Sequence, residues 1–118
     1  MCFYANSNSK AKVAKEDIYC FKVLKELKKG IVSPIRCGYK WEIDKLHIEK
    51  YFEMVSDYHD EVNNGFHVLR NLEQARKFAN DFPRSAKVFL VMIPKGALYH
   101  KNSTQYCSNQ LVIKTKLQ

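Results

Sequence analysis

The sequence predicts one α+β domain, built on a mixed, mostly antiparallel sheet with one or two packed helices. At 118 residues, the chain has the length of a single domain with one hydrophobic core. Short segments rich in β-branched and aromatic residues recur along it, as expected for strands. One segment carries a capped helical pattern instead, and the order of these segments suits helices packed on a sheet.

The composition of the N-terminal residues predicts a polar arm. Residues 1–15 hold small polar residues and lysines, with little apolar material besides Phe3 and Tyr4. We therefore expect a partly ordered polar arm over residues 1–15 and the α+β domain over residues 16–118.

After the arm, the sequence predicts two strands. Residues 18–24 have the composition of a strand, and residues 25–30 that of a charged connection. Ser33-Pro34 disfavours helix, because proline restricts the residue before it. Residues 38–43 alternate apolar and polar side chains, which predicts a strand with one buried face.

Residues 44–55 allow two interpretations. From Ile48 to Val55, apolar residues recur at helical spacing, which favours an amphipathic helix capped by Asp44. Leu46 and Ile48 also alternate with polar neighbours, as in a hairpin strand. The sequence leaves the choice between helix and strand open.

The clearest helix comes in the middle of the chain. Residues 63–65 predict a turn and residues 66–69 a short strand. Asn71 then has the position of a helix cap, Gln74 stands three residues on as in a capping box, and an apolar stripe continues until Pro83 ends the helix.

The C-terminal third predicts three more strands. Residues 88–93 form an unbroken apolar run, which is typical of a central strand covered on both faces. Residues 94–96 predict a turn, residues 97–100 a short strand and residues 101–105 a polar loop. Residues 111–116 close the chain as a β-rich strand.

The net charge of +8 is unevenly distributed. Residues 1–81 are nearly balanced, whereas residues 82–118 hold six Lys and Arg residues and no Asp or Glu. This basic segment predicts an anionic partner, a nucleotide or a nucleic acid, with aromatic rings available for stacking. The candidate ligand-binding residues are His67, Lys95, Tyr99, Lys101, Tyr106, Lys114 and Lys116.

The sequence also indicates the cellular location of the protein and the state of its cysteines. The longest apolar run is too short to cross a bilayer, and the N-terminus lacks the apolar region of a secretion signal, so we expect a cytoplasmic protein without membrane contact. The four cysteines show no paired spacing, and we interpret them as reduced thiols. No metal site and no cofactor are expected.

Common catalytic motifs are absent. The chain contains no Walker-type, dinucleotide-binding, nucleophile-elbow or H-E-x-x-H pattern. A Cys/His pair remains an option, because neighbouring strands would bring Cys107 close to His67 or His100. No acidic residue lies near Cys107 to orient such a base, so packing is the favoured role for this thiol.

Three segments carry a resemblance. Gly65-Phe66-His67-Val68-Leu69-Arg70-Asn71-Leu72-Glu73-Gln74-Ala75, Ile93-Pro94-Lys95-Gly96-Ala97-Leu98-Tyr99 and Tyr106-Cys107-Ser108-Asn109-Gln110-Leu111 follow one another in order. This arrangement resembles small domains of phages and of bacteria that carry mobile elements. It is remotely similar to the ADP-ribosyltransferase superfamily.

The departures from that superfamily concern its functional positions. The resemblance implies an Arg or His on the first strand, where this chain offers Lys22 and Tyr19. It implies a Ser or Tyr on a middle strand, where Phe66-His67-Val68 stands, and a late glutamate, although no acidic residue follows Asp81.

We therefore predict a non-enzymatic binding or accessory protein that engages an anionic ligand through its basic C-terminal third. One alternative is an ADP-ribosyltransferase-like nucleotide enzyme, and another is a protein-interaction module whose exposed apolar surface pairs with itself or with another protein. The sequence identifies no catalytic residue and leaves the oligomeric state open.

Overall fold

Strands make up most of the structure, a computed structural model that describes residues 3–4, 11–28, 30–32, 39–50, 61–62, 65–82 and 86–117. In chain order, the elements are β1 (Phe3–Tyr4), β2 (Lys12–Val13), β3 (Ile18–Leu27), β4 (Gly30–Val32), β5 (Lys40–Trp41), β6 (Leu46–Ile48), β7 (Glu61–Val62), β8 (Phe66–Leu69), α1 (Leu72–Asn80), β9 (Ala86–Ile93), β10 (Leu98–Lys101), β11 (Gln105–Ser108) and β12 (Gln110–Lys116).

These strands form one large antiparallel sheet and one small one. The large sheet has the order β2-β10-β11-β8-β3-β9-β12-β6, and β4 and β5 branch from β3. β1 pairs with β7 in a separate two-stranded sheet. A parallel bridge joins Ile43 to Ile113. The predicted class is thus confirmed in outline, as a mostly antiparallel sheet with one short helix in the described residues.

Helix α1 forms for the reason that the sequence predicts. The Asn71 side-chain oxygen accepts hydrogen bonds from the backbone N–H groups of Glu73 at 2.8 Å and Gln74 at 3.3 Å. This cap satisfies two N–H groups that have no partner inside the helix. The helix packs on β3, β9 and β8 through its apolar stripe, in which Ala75 is fully buried.

Each face of the large sheet has its own core. On the face that carries α1, Val23, Leu69 and Val88 surround Ala75. The opposite face buries a larger cluster, whose bulkiest members are Leu24, Trp41, Phe66, Phe89, Val91, Ile93, Leu111 and Ile113. Both faces of β9 are therefore covered, as its unbroken apolar run predicts.

Residues 46–48 form strand β6, so the strand interpretation is confirmed there, although β6 pairs with β12 and does not form a hairpin with β5. The predicted helix capped by Asp44 is wrong at this point, since Asp44 adopts a positive φ of 60° and β6 pairs with β12. Pairing with β12 satisfies the inward backbone groups of β6 and overrides the local helical spacing. Residues 51–55 lie outside the described residues.

Three other boundaries differ from the sequence prediction. β3 continues to Leu27, where the sequence predicts a charged connection, because Lys25–Leu27 pairs with β4 in a hairpin. Lys12–Val13, within the predicted arm, forms β2 and pairs with β10. The predicted loop over residues 101–105 gives way to β11 at Gln105. Ser33-Pro34 lies outside the described residues.

Candidate ligand-binding surface

Two tyrosines meet at the β10–β11 end of the large sheet. The rings of Tyr99 and Tyr106 pack edge to face, with centroids 5.7 Å apart. Tyr99 lies opposite Ser108, and Lys101 lies opposite Tyr106, so all these side chains share one face. Both rings are half-buried and pack against the larger core, which holds them in a fixed orientation.

Three cations surround the two tyrosines. Lys12 lies opposite Tyr99 on the neighbouring strand, and Lys101 opposite Tyr106, and both lysines are exposed. The Arg70 guanidinium lies 5.4 Å from the centre of the Tyr106 ring. We call Lys12, Arg70, Tyr99, Lys101 and Tyr106 the tyrosine–cation surface.

Arg70 is held in place by the loop between β10 and β11. Its Nη1 donates to the carbonyl oxygen of Asn102 at 2.7 Å, and its backbone N–H donates to the carbonyl oxygen of Thr104 at 2.9 Å. Asn102 in turn caps this loop, as its side-chain oxygen accepts from Thr104 N at 2.9 Å and Gln105 N at 2.7 Å. The guanidinium is therefore oriented before any ligand binds.

No acidic side chain neutralises this surface from its own strands. β2, β8, β10 and β11 contain no Asp or Glu, and neither does the loop over residues 102–104. The salt bridges found among the described residues lie elsewhere. These four strands and this loop therefore contribute only positive formal charge to the surface.

The structure brings three of the seven predicted site residues together: Tyr99, Lys101 and Tyr106. Lys114 and Lys116 lie on β12, which β8, β3 and β9 separate from β11. Their ammonium groups face carboxylates, Lys114 at 3.6 Å from Asp44 and Lys116 at 3.0 Å from Glu26.

The two remaining predicted residues lie apart from the tyrosines. Lys95 lies in the turn after β9, where its backbone N–H donates to the Asp17 carboxylate at 2.9 Å. His67 lies on β8 opposite Cys107, so its side chain is on the other face of the sheet from Tyr106.

Cys107 lies between two histidines, the neighbours that the sequence allows for it. It is opposite His67 on β8 and His100 on β10, and both Cys107 and His100 are fully buried. Burial raises the pKa of the Cys107 thiol to about 12, and the positive charge of Lys22 offsets this only in part. The thiol is therefore protonated at neutral pH and is a poor nucleophile or metal ligand.

Metal coordination finds no support in the same region. Among the described residues, no group of three or more His, Cys, Asp or Glu side chains is arranged to hold a metal ion. Packing is the role that the geometry favours for Cys107.

A second aromatic group lies farther along the face that carries the tyrosines. Trp41 lies with its ring centroid 4.7 Å from Tyr39, 4.7 Å from His47 and 5.1 Å from Phe66. The Tyr39 hydroxyl and His47 Nδ1 share a hydrogen bond of 2.9 Å. Burial is the main cause that raises the pKa of Tyr39, followed by the charge of Glu49.

Lys22 lies beside the second aromatic group. Its Nζ donates to the His67 carbonyl at 2.7 Å and lies 5.4 Å from the centre of the Trp41 ring. Burial lowers the pKa of Lys22 to about 8, while the nearby thiols of Cys107 and Cys20 act in the opposite direction. A hydrogen bond and a ring face thus replace part of the hydration of this ammonium group.

The sequence prediction does not include Lys12, Arg70 or Lys22 among the site residues. Lys12 and Arg70 lie outside the acid-free segment that begins at Phe82, on which the charge argument rests. Lys22 sits in an apolar strand pattern, and a lysine inside such a pattern is the signal that could have identified it.

Comparison of the chain with family models, with curated protein sequences and with solved structures finds no match. The resemblances stated above therefore remain predictions. In the described part of the chain, no helix has the length and apolar character needed to cross a membrane.

Proposed function

We propose that this chain is a non-enzymatic binding protein for single-stranded nucleic acid or for its nucleotide units. The observation that supports this proposal is the tyrosine–cation surface, where two fixed aromatic rings lie among three cations on strands without carboxylates.

The chemistry of this surface matches a ligand that combines bases with phosphates. Tyrosine rings accept bases of any sequence by stacking, and cations attract the phosphate backbone. Lys12 and Lys101 flank the tyrosines on two neighbouring strands, so phosphates on either side of a stacked base would meet an ammonium group. Free nucleotides and oligomers share this chemistry.

The decisive experiment compares two double variants that remove the same charge. Lys12→Gln/Lys101→Gln takes two cations from the tyrosine–cation surface, and Lys114→Gln/Lys116→Gln takes two from β12. Binding of a fluorescein-labelled 12-nucleotide oligo(dT) is followed by anisotropy across a series of salt concentrations. We expect the first variant to bind more weakly and to reduce the salt slope by about 1.4, because each phosphate contact on a single strand contributes about 0.7.

The control variant should retain most of the affinity, since Lys114 and Lys116 already face carboxylates. Equal losses in both variants would show that net charge, and not this surface, attracts the ligand. No binding by the wild type at low salt would refute the proposal.

A stacking contact distinguishes this surface from a purely electrostatic one. Tyr106→Ala should weaken binding by about 1–3 kcal/mol, whereas Tyr106→Phe, which keeps the ring, should bind like the wild type. Thermal unfolding with mononucleotides then separates the two ligand sources. A rise in Tm with mononucleotides indicates a single-nucleotide site, and a rise with oligomers alone indicates a strand-binding groove.

A further inference from the structure

The outer edge of β6 carries exposed apolar side chains. β6 ends the large sheet and pairs with β12 on its inner side, and no other described strand pairs with it. Leu46 is 45% exposed and Ile48 57% exposed. Natural proteins commonly protect such edges with charges or proline, because unpaired backbone groups attract another strand.

The backbone of β6 is oriented for a further strand. The Glu49 N–H donates to the Asn109 carbonyl at 2.8 Å, so these two residues form a hydrogen-bonded pair of the ladder. In an antiparallel ladder such pairs alternate, which places the N–H and C=O groups of Leu46 and Ile48 on the side away from β12. The outer edge therefore presents two donors and two acceptors.

The residues around His47 are complementary to themselves. If two copies of β6 run antiparallel about a two-fold axis at His47, Leu46 of one copy lies opposite Ile48 of the other. Lys45, whose ammonium group also makes an exposed ion pair with Glu42 of its own chain at 2.8 Å, then lies opposite Glu49. The Leu46–Ile48 pair uses the outward backbone groups just described, so hydrogen bonding and side-chain pairing agree on the same register.

The charges that complement each other in this register are those of Lys45 and Glu49. Asp44 has a positive φ of 60° and its carboxylate faces Lys114 at 3.6 Å, so the extended strand does not continue to it. A shift of the register by one residue would move Leu46 and Ile48 out of this pairing. The charges thus specify one alignment of a second copy.

An apolar row leads across the sheet to this edge. Tyr19, Met92, Val112 and Leu46 lie opposite one another on β3, β9, β12 and β6. Tyr19 is 57% exposed, and Met92 and Val112 are half-buried. A second copy seated at β6 would prolong this row with its own Ile48 and Leu46, and so would bury apolar surface beside the paired strands.

We propose that two copies of this protein pair through β6, antiparallel and two-fold symmetric about His47, so that their large sheets join into one. The tyrosine–cation surface lies at the opposite end of the strand order, so the dimer would carry one such surface at each end.

Charge reversal at Lys45 and Glu49 tests this pairing with the full chain. Lys45→Glu places Glu opposite Glu at two symmetric positions, and Glu49→Lys places Lys opposite Lys. Each single variant should raise the dimer dissociation constant roughly tenfold or more in sedimentation velocity at low salt. An equimolar mixture of the two variants should recover dimers, because each then meets the opposite charge.

The mixture also separates loss of pairing from loss of folding, since misfolded chains would not recover on mixing. Lys28→Glu, at the exposed end of the β3–β4 hairpin, is the matched control and should dimerise like the wild type. Amide hydrogen exchange at Leu46 and Ile48 should slow as protein concentration rises. A wild type that stays monomeric at high concentration, or a mixture no more associated than its components, would overturn the proposal, even if β6 binds another protein.

Discussion

At the scale of single residues, Gly65 is the least tolerant of a side chain among the described glycines. Its φ is +131°, which L-residues rarely adopt, and a Cβ at this position would lie 2.5 Å from the Cys107 Sγ. Two separate costs therefore oppose any side chain at this position: backbone strain and a clash with a buried sulfur.

Gly65→Ala should destabilise the protein by about 2–4 kcal/mol, more than Gly30→Ala does. Gly30 is the matched control, because its φ of +133° gives the same strain while no atom lies within 4 Å of the place that a Cβ would take. Urea unfolding of both variants measures the difference, which isolates the clash with Cys107. Equal losses would mean that the sulfur moves aside without cost.

Lys22 should make the stability of the protein depend on pH. Because its pKa falls from 10.5 to about 8 on folding, the unfolded chain binds more protons between these values. The free energy of unfolding then rises with pH. The full cost of burying the charge applies below about pH 8, and no cost remains once the pH passes 10.5.

The variant Lys22→Met lacks this titration. Relative to the variant, the wild type should therefore gain about 2 kcal/mol of stability between about pH 7 and pH 10. Urea unfolding of both proteins at several pH values checks this. A difference that does not change with pH would show that Lys22 keeps its charge in the folded state without cost.

At the scale of elements, the capping of α1 is a contribution to stability that a single substitution can isolate. The helix has nine residues, too few for stability in isolation, so its packing on β3 and β9 and its capping by Asn71 both matter. The Asn71 side chain accepts from two N–H groups at the first turn.

Asn71→Ala should lower the free energy of unfolding by about 1 kcal/mol, because those N–H groups lose their acceptor. Asn80→Ala, at the last residue of the same helix, is the control and should be neutral or slightly stabilising, since alanine favours helix. Denaturant unfolding distinguishes the two. Equal effects would assign the contribution to helix propensity rather than to the cap.

At the scale of the whole molecule, the buried thiols report on cooperative unfolding. Cys20 and Cys107 are fully buried, and burial raises the pKa of each to about 12. They lie on β3 and β11, two strands apart in the large sheet. An alkylating reagent should reach both only when the sheet opens.

Iodoacetamide should therefore modify Cys20 and Cys107 at equal rates that increase with urea as global unfolding does. Peptide mass spectrometry after timed quenching follows each site separately. Faster modification of Cys107 alone would reveal local opening of β11 near the tyrosine–cation surface, and it would show that the sheet does not unfold as one unit.

Local patterns determined the parts of the fold that depend on neighbours in the chain. The cap and apolar stripe of α1 lie close together along the chain, and the apolar run of β9 is continuous, so the sequence predicts both elements and the α+β class. The uneven charge is likewise a property of the sequence and leads to the anionic-ligand prediction.

Only the tertiary structure decided which side chains meet. Pairing of β10 with β2 and β11 brings Lys12 to Tyr99 and Tyr106, which are far from it in the chain. It leaves Lys114 and Lys116 on β12, with three strands between it and β11. Because side chains alternate between the faces of a strand, a shift of one residue in register would reverse every such contact. Strand pairing also fixed residues 46–48 as β6, since hydrogen bonds to a distant strand outweigh local helical spacing.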